Sequence, residues 1–210
     1  MPSLQFRPEN LLLEANSLRF DRRGEPVFNA VDLALESGKL LLILGANGSG
    51  KTTLLRCLAG VIRPIEGRIK VNARRAFLGH RTGIKAALSC RENLRFLQKF
   101  HGRAKSSPDQ ALARVGLAGF GLRLASTLSA GQKRRLGLAS LLVSEREVWL
   151  LDEPYASLDD EGGALVDALV SEHLSGGGSV ALSTHQRMPE IELEPSVLQL
   201  GSSIAAAAIA

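Results

Sequence analysis

Apolar residues recur along the first half of this chain in patterns that predict strands. Alternating apolar and polar positions, as at 31–35, are typical of a half-buried strand, whereas the unbroken apolar run 40–44 predicts a buried one. Predicted strands lie at 11–13, 18–20, 31–35, 40–44, 69–71 and 76–78, with a turn at 63–67. The first half is therefore expected to combine a group of antiparallel strands with one strand–helix unit.

Helix start signals dominate the middle of the chain. Ser89 with Glu92, and Ser129 with Gln132, have the spacing of capping boxes, in which the two residues bind each other's backbone N–H. Ser107 precedes a proline, which favours the first position of a helix. Predicted helices cover 53–59, 89–100, 107–115, 129–143 and 157–174, with further strands at 148–151, 179–183 and 197–200. The pattern predicts an α/β protein.

Length and composition indicate one domain with a sizeable core. The chain has 210 residues, of which 45% are hydrophobic, and no run approaches the roughly 20 apolar residues of a membrane span. The opening residues lack the apolar core of a signal peptide. Two cysteines suit a reducing compartment; Cys57 is expected to fill the core, and Cys90 is left undecided. A soluble, cytosolic chain is expected.

Positive charge is concentrated between Arg63 and Lys105. This stretch holds 12 of the 26 Lys and Arg residues and only two acids, although the net charge of the whole chain is only +5. A solvated basic face explains such a run as well as a docking surface for an acidic partner or anionic lipid does. Both interpretations stay open.

The segment after the buried run 40–44 has the composition of a phosphate-binding loop. Glycines let the backbone turn so that successive N–H groups face one concavity, and the following helix adds the positive end of its dipole. Lys51 can reach the β- and γ-phosphates, and the Thr52 hydroxyl can bind Mg²⁺, which completes the Walker A pattern. The predicted ATP-binding residues are Gly45, Ala46, Asn47, Gly48, Ser49, Gly50, Lys51, Thr52 and Thr53.

A second chemical pattern is the apolar run 148–151, which is followed by two acids. This is the Walker B arrangement, in which Asp152 orients Mg²⁺ and Glu153 activates a water molecule. His185 follows another core strand and is a candidate contact to the γ-phosphate. The predicted catalytic residues are Glu153, His185 and Lys51, and the predicted Mg²⁺ ligands are Thr52 and Asp152.

These motifs and their order resemble the ABC-type ATPases. The most specific segment is Leu128-Ser129-Ala130-Gly131-Gln132, which lies between Walker A and Walker B and resembles the ABC signature. Within that superfamily the chain is similar to the CcmA family, the ATP-binding subunits of the haem-handling Ccm complex of cytochrome c maturation. The supporting stretches are 78–85, 92–96, 128–135, 149–154 and 184–186.

The resemblance implies a P-loop NTPase fold with an antiparallel β subdomain and with a helical subdomain at about 80–145 inserted in the core of a single ABC domain, 1–210. Two copies would pair head to tail, so that the signature of one covers the ATP of the other, with Asp159 at the seam. The implied signature residues are Ser129, Ala130, Gly131 and Gln132.

The resemblance also implies partners and a location. Integral membrane subunits of a Ccm-type complex are the implied partners, with indirect contact with the haem pathway and no nucleic acid. ATP and Mg²⁺ are the implied cofactors. The implied location is peripheral, on the cytoplasmic face of the inner membrane.

Two positions depart from the general ABC pattern. His80 stands where a glutamine usually links the nucleotide to the helical subdomain, and imidazole is a poor ligand for Mg²⁺. His80 is therefore expected to relay motion without touching the metal. The aromatic residue that stacks on adenine would fall near Arg22, whose guanidinium could stack instead, or Phe20 or Phe28 could substitute. The adenine contact is left open.

The leading function is ATP hydrolysis coupled to a membrane complex that exports haem or releases a haem carrier. One rival is the ATPase subunit of another ABC transporter, and a second is an ATP-gated clamp that transports nothing. Such clamps are expected to carry tandem cassettes or long insertions, and the length of this chain argues against them. A module that binds ATP without hydrolysing it is disfavoured by the intact Walker motifs and His185.

Overall fold

The computed structural model describes residues 10–80, 82–102, 106–185 and 187–201. Its strands are β1 (Leu11–Arg22), β2 (Glu25–Glu36), β3 (Leu40–Leu44), β4 (Glu66–Val71), β5 (Arg75–Leu78), β6 (Val148–Asp152), β7 (Ser179–Ser183) and β8 (Ser196–Gln199). Its helices are α1 (Lys51–Leu58), α2 (Cys90–His101), α3 (Pro108–Arg114), α4 (Ala130–Leu142) and α5 (Asp160–Ser175), with a 3₁₀ turn at Ala125–Thr127.

A parallel sheet in the order β5-β6-β7-β3-β8 forms the centre of the described structure. Successive residues of its central strands alternate between two hydrophobic cores, one on each face. In β3, Leu42 lies in one core and Ile43 in the other, and in β6 Leu151 and Leu150 divide in the same way. The unbroken apolar runs in the sequence follow from this arrangement, because neither face of these strands meets water.

Different elements cover the two faces of the parallel sheet. The core on one face joins the antiparallel strands to α1, through Leu13 and Leu33 on the strands and Leu54 on the helix. The core on the other face contains the helical middle of the chain and α5, with Leu94 and Leu136 among its members. Because the strands of the sheet are parallel, their carboxyl ends meet at one edge, where ligands bind in folds of this kind.

The antiparallel sheet has the order β2-β1-β4 and corrects one sequence prediction. The segments 11–13 and 18–20, predicted as separate strands, form the single strand β1, which has an irregular register between them. Exposed Asn16 and Ser17 interrupt the apolar pattern there, and Ser17 has a φ of 49°. The prediction was wrong because a bulge breaks the alternation of side chains without ending the strand.

The predicted turn at 63–67 is shorter than expected. β4 begins at Glu66, which pairs with Arg19 of β1 and also forms an ion pair with it, 3.0 Å from Oε1 to Nη1. Gly67 has a φ of 88°, and a Cβ there would lie 2.4 Å from the carbonyl oxygen of Ser17. This glycine therefore serves a close approach between strands as well as a turn.

The helix start signals are confirmed at three positions and wrong at a fourth. Ser89 and Ser129 form the predicted capping boxes, and Ser107, predicted only as a helix start before a proline, forms a capping box as well. The last helix begins at Asp160 rather than Ser157, because the Asp159 carboxylate accepts the N–H of Gly162 at 2.9 Å. Ser157 has a φ of 65°, which an α-helix cannot contain.

Burial assigns both cysteines to the core. Cys57 and Cys90 are 1% and 0% exposed. Burial raises the pKa of the Cys57 thiol to about 11, so that its reactive thiolate is scarce near neutral pH. Within the described ranges, no helix combines the length and the apolar character that crossing a bilayer requires.

Candidate active site

A pocket of about 900 Å³ lies at the carboxyl edge of the parallel sheet. The segment between β3 and α1 forms one wall, and the turn between β1 and β2 borders it. The predicted site residues that line it are Asn47, Gly48, Ser49, Gly50, Lys51, Thr52, Thr53, His80, Asp152, Glu153 and His185. The fold thus brings the phosphate-binding loop, both acids and two histidines together from segments far apart in the sequence.

Glycines shape the loop between β3 and α1. Gly45 has a φ of 149°, and a Cβ on it would lie 2.5 Å from both the Leu200 carbonyl oxygen and the Ser49 hydroxyl. Gly50 has a φ of 99°, and its Cβ would lie 2.9 Å from the Val27 side chain. Both positions need glycine for conformation and for space, so the loop can pass close to its neighbours.

Lys51 folds back over the same loop. Its side chain is only 7% exposed, and Nζ donates to the carbonyl oxygens of Gly45 at 2.6 Å and Ala46 at 3.1 Å. A buried ammonium group requires such partners, because leaving it without hydrogen bonds is costly. The charge is therefore held at the mouth of the loop, where a phosphate group could replace either carbonyl contact.

Thr52 and Asp152 form an oxygen-rich pair that fits magnesium. The Thr52 hydroxyl lies 3.0 and 2.9 Å from the two Asp152 carboxylate oxygens, and the Ser183 hydroxyl donates to Oδ1 at 2.8 Å. Mg²⁺ prefers hard oxygen ligands and is usually held by few protein groups together with phosphate oxygens and water. The described residues include no cluster of three or more His, Cys, Asp or Glu side chains suited to a metal. Magnesium shared with a phosphate ligand suits this donor set.

Glu153 and His185 form a second pair in the pocket. His185 Nδ1 lies 2.7 Å from Glu153 Oε1. Glu153 has a φ of 51°, a left-handed conformation that is uncommon for such a residue. Its N–H donates to the Ser183 carbonyl oxygen at 3.1 Å, which holds the residue against that strain. The arrangement presents one carboxylate and one imidazole beside the phosphate-binding loop.

A sequence match that includes both Walker motifs identifies the family. A family model described as ABC transporter matches residues 28–156, from β2 to the segment just after Glu153. The chain belongs to the ABC transporter family.

Curated relatives place the chain more narrowly within this ABC family. A protein of Xanthomonas campestris pv. campestris (strain 8004) is 51% identical over 185 residues, which cover 83% of this chain and 86% of the relative. A protein of Mesorhizobium japonicum is 42% identical over 199 residues, or 90% and 98% of the two chains. Both are named cytochrome c biogenesis ATP-binding export protein CcmA. The predicted likeness to CcmA proteins is confirmed.

Solved structures of ABC proteins have the same fold. One is the dimeric, post-hydrolysis structure of an ATP-binding cassette bound to ADP and Pi, with a TM-score of 0.77 over 83% of this chain and 88% of that one, at 21% identity. Another is an ABC transporter ATP-binding protein from Pyrococcus furiosus, with a TM-score of 0.76 over 90% and 96% of the chains, at 25% identity. The predicted P-loop ABC fold is confirmed.

The predicted ABC signature segment (residues 129–132, the signature segment) lies outside the pocket. Among the described residues that line the pocket, none belongs to this segment. Ser129 caps α4, accepting the N–H of Gln132 at 3.2 Å, while the Gln132 side chain accepts the N–H of Ser129 at 3.0 Å. Ser129 and Ala130 are exposed. The segment therefore presents a helix N-terminus to the surface rather than to the nucleotide pocket of its own chain.

Asp159 is likewise not among the described residues that line the pocket, and it caps α5. The N–H of Gly162, which it accepts, lowers the pKa of its carboxyl group, with a smaller effect from Arg135 at 3.4 Å. Its carboxylate is exposed. A place at a dimer seam stays a prediction, whereas its role as a helix cap within the chain is observed.

His80 is exposed and lines the pocket, after the end of β5. Arg22 also lines the pocket. Phe28 does not fit the adenine contact, because it is only 6% exposed and stacks on Phe20 with ring centroids 6.4 Å apart. The described lining of the pocket contains neither phenylalanine, which favours the Arg22 guanidinium among the three candidates.

The basic stretch from Arg63 to Lys105 divides between paired and exposed side chains. Arg74 lies 2.6 Å from Glu147, and Arg91 lies 2.9 Å from Asp109. The surface around α2 (the α2 surface) exposes Lys85, Arg95, Phe96, Lys99 and Phe100. Arg81, Arg103 and Lys105 lie outside the described residues. Part of the stretch is therefore structural, and the exposed part mixes cations with aromatic rings.

Sequence reasoning missed two residues that contact the site from outside the pocket. Ser183, at the end of β7, binds both the Asp152 carboxylate and the backbone of Glu153. Arg134, on α4, is 4% exposed and binds the backbone on both sides of Glu153. Ser183 could have been noticed as a polar residue ending an apolar run. Arg134 gave no signal, because a Lys-Arg-Arg sequence is typical of a solvated helix face.

Proposed function

We propose that this ABC-family ATPase hydrolyses ATP at sites formed between two copies of the chain. We further propose that it drives a membrane complex that exports haem, or releases a haem carrier, during cytochrome c maturation. The observation that carries the proposal is the convergence of Lys51, the Thr52–Asp152 pair and the Glu153–His185 pair on one pocket. The names of the CcmA relatives support a role in cytochrome c maturation.

Phosphate binding is the task of the loop and of α1. The loop's glycines present N–H groups to the β- and γ-phosphates, and the N-terminus of α1 contributes its dipole. Lys51 would exchange its contacts with the Gly45 and Ala46 carbonyl oxygens for contacts with phosphate oxygens. That exchange is favourable because phosphate carries full negative charge and forms charge-assisted hydrogen bonds.

Thr52 and Asp152 would hold the magnesium ion between the loop and β6. When bound there, Mg²⁺ would supply positive charge that offsets the negative charge of the phosphoryl group during its transfer. Ser183 fixes the Asp152 carboxylate by donating to Oδ1, so the carboxylate keeps its orientation while Thr52 turns its hydroxyl towards the ligand.

Glu153 and His185 would act on the attacking water and the γ-phosphate. The Glu153 carboxylate orients and polarises the water, and positioned groups of this kind contribute roughly 10²- to 10⁴-fold to rate. His185 lies close enough to the carboxylate to hold it, and its ring can contact the γ-phosphate when ATP is bound. The strained backbone of Glu153 serves this positioning.

The facing copy would complete each site. The exposed N-terminus of α4, with its signature segment, has the dipole and N–H groups that a γ-phosphate would accept. The pocket of the same chain lacks those residues among its described lining. The dimeric ATP-binding cassette with the same fold supports a paired arrangement.

A membrane partner would recruit the chain to the cytoplasmic face of the inner membrane. The CcmA relatives are named export proteins, and integral membrane subunits would provide the passage through the membrane. The α2 surface, with exposed cations and aromatic rings, is the face that we assign to this contact.

The experiment tests pathway and chemistry together. Lys51→Ala introduced in the native host should abolish covalent haem attachment to c-type cytochromes, seen by haem staining, while b-type cytochromes stay at wild-type level. Affinity purification of the native chain from membranes should recover integral membrane subunits that act in the haem pathway. Normal c-type cytochromes in the Lys51→Ala strain, together with a loss of transport of another solute, would assign the chain to a different ABC transporter.

A further inference from the structure

Among the described residues, Arg134 is a deeply buried cation near the active site that the proposed chemistry does not use. It lies on α4, five residues after the cap Ser129, and is 4% exposed. Its guanidinium donates to four backbone carbonyl oxygens: Gly79 at 2.8 Å, Asp152 at 2.9 Å, Pro154 at 3.0 Å, and Glu153. Only the planar, five-donor guanidinium can serve so many acceptors at once.

These hydrogen bonds lie on both sides of Glu153, the residue proposed to polarise the water. The Asp152 and Glu153 carbonyls belong to the two peptide groups that flank the Glu153 Cα, and Pro154 supplies the next carbonyl. Glu153 itself has a φ of 51°. A strained conformation persists only where surrounding contacts fix it, and here the N–H is fixed by Ser183 and the carbonyl by Arg134.

Burying the charge of Arg134 is unfavourable, so a side chain that served only to pack α4 against its neighbours would be expected to be uncharged. Burial lowers the pKa of the guanidinium, opposed by the nearby charges of Asp152 and Glu153, yet arginine stays charged in proteins. Among the described residues its hydrogen-bond acceptors are carbonyl oxygens rather than carboxylates. A buried charge held without a direct ion pair favours a role in fixing geometry over a role in stability.

The same side chain reaches the segment that carries His80. Gly79 precedes His80, and its carbonyl oxygen accepts from Nη1. The guanidinium therefore joins α4 to the carboxyl ends of β5 and β6, the two places from which His80 and Glu153 enter the pocket.

We propose that Arg134 is a positioning residue that aims the Glu153 carboxylate in the pocket of its own chain. Although it lies on the helix that carries the signature segment, it acts on the nucleotide held by its own Walker motifs and not on that of the facing copy. This assignment rests on the proposed ATP hydrolysis. It separates two functions of α4: its N-terminus serves the partner's site, and its buried middle serves its own.

The first test separates positioning from folding. Arg134→Lys keeps the charge but has fewer donors in another geometry, and Arg134→Gln removes the charge. Both should lower kcat by about 10- to 100-fold, as small misplacements of catalytic groups do, while the Kd for a fluorescent ATP analogue stays near wild type. Arg114→Lys is the matched control, because Arg114 forms an exposed ion pair with Glu172 on another surface, and its kcat should not change.

Two outcomes of that test would overturn the assignment. An unchanged kcat in folded Arg134→Gln would remove Arg134 from the positioning of Glu153. A loss of nucleotide affinity that matches the loss of kcat would instead make Arg134 a general support of the pocket. If Arg134→Gln does not fold, Arg134→Lys alone decides, since its lower kcat must appear at full nucleotide occupancy.

The second test asks which nucleotide site is damaged. In a head-to-tail dimer, Arg134→Gln mixed with Ser129→Arg leaves one intact site if Arg134 acts within its own chain, and activity recovers. Mixed with Lys51→Ala, Arg134→Gln then leaves no intact site. Recovery with Lys51→Ala and not with Ser129→Arg would show that Arg134 serves the facing copy.

A reference pair keeps the two proposals apart. Ser129→Arg mixed with Lys51→Ala must recover activity if the paired sites exist at all. If this pair recovers no activity, the shared-site dimer is contradicted. The comparison of kcat with Kd in the Arg134 variants remains valid, because it does not depend on mixing two variants. Recovery of the reference pair with the reversed pattern for Arg134→Gln contradicts the assignment of Arg134 alone.

Discussion

Two helices of this chain start with opposite arrangements at their N-termini. The N-terminus of α1 begins after Gly50, which is left-handed, and in the described structure no side-chain oxygen caps it. The N-terminus of α4 is closed by the Ser129–Gln132 capping box and faces the surface. The first lies in the pocket and has no side-chain cap among the described residues, whereas in the second the N–H groups of Ser129 and Gln132 are each bonded to the other residue's side chain.

The difference separates what one copy can do alone from what needs a second copy. An uncapped helix start beside Lys51 is prepared to bind phosphate, because no side chain in the described part of the chain caps its orphan N–H groups. A capped and exposed start is stable in the single chain and gains a phosphate contact only when another surface brings one. Nucleotide binding should therefore precede pairing, and damage at α4 should leave binding unchanged.

The largest effect is expected at the water-polarising carboxylate. Glu153→Gln should slow turnover by at least about 100-fold, because the amide cannot accept the proton, while the phosphate contacts near α1 remain. ATP-bound dimers should accumulate, as measured by light scattering. Glu172→Gln, a similar change at an exposed ion pair, is the control and should behave as wild type. Wild-type turnover in Glu153→Gln with partners present would remove Glu153 from the mechanism.

Ser129→Arg sharpens the comparison between the two helix starts. It should leave ATP binding by the single chain intact and block hydrolysis, since the bulky cation obstructs the surface that faces the partner's nucleotide. Mixed in equal amounts with Lys51→Ala, it should restore about one quarter of wild-type activity, because half of the random dimers carry one intact site. A loss of ATP binding in isolated Ser129→Arg would place the signature segment in its own chain's site.

A moderate effect is expected at the α2 surface. Cations near an anionic leaflet each contribute on the order of 1 kcal/mol, so replacing Lys85, Arg95 and Lys99 by glutamine should weaken membrane recruitment by at most about 150-fold. Replacing Arg63, Arg68 and Lys70, which are also exposed, removes equal charge elsewhere and is the control. Recruitment is measured by vesicle flotation with the partner subunits at two salt concentrations. Unchanged, salt-insensitive recruitment of the α2 variant would make this surface a solvated face.

The smallest effect is expected at His80. His80→Gln should change ATP hydrolysis by less than about threefold, because the imidazole is a poor Mg²⁺ ligand and glutamine can take the same place. Nucleotide affinity, measured by fluorescence titration, should stay near wild type. An affinity as low as that of Lys51→Ala would mean that His80 belongs to the phosphate site and is no relay.

The local chemistry of the pocket could be predicted from the sequence because it is carried by neighbouring residues. A glycine-rich loop after an apolar run, with Lys51 and Thr52 opening a helix, specifies its own conformation through backbone freedom and dipole. Capping boxes at Ser89 and Ser129 are equally local, since both partners lie within one turn. Where the alternation was broken by a bulge, as at Asn16 and Ser17, local reasoning divided one strand into two.

The tertiary structure alone decided which distant residues meet. Thr52 and Asp152 approach to 2.9 Å across 100 positions of sequence, and Arg134 reaches back 55 positions to Gly79. These contacts depend on the order of the parallel strands and on which face of the sheet receives α4, neither of which a local pattern encodes. The sequence around Arg134 is equally typical of an arginine on a solvated helix face. Only the packing of α4 shows that this side chain is buried. The sequence therefore determined the groups that perform the chemistry, while the fold determined the contacts that aim them.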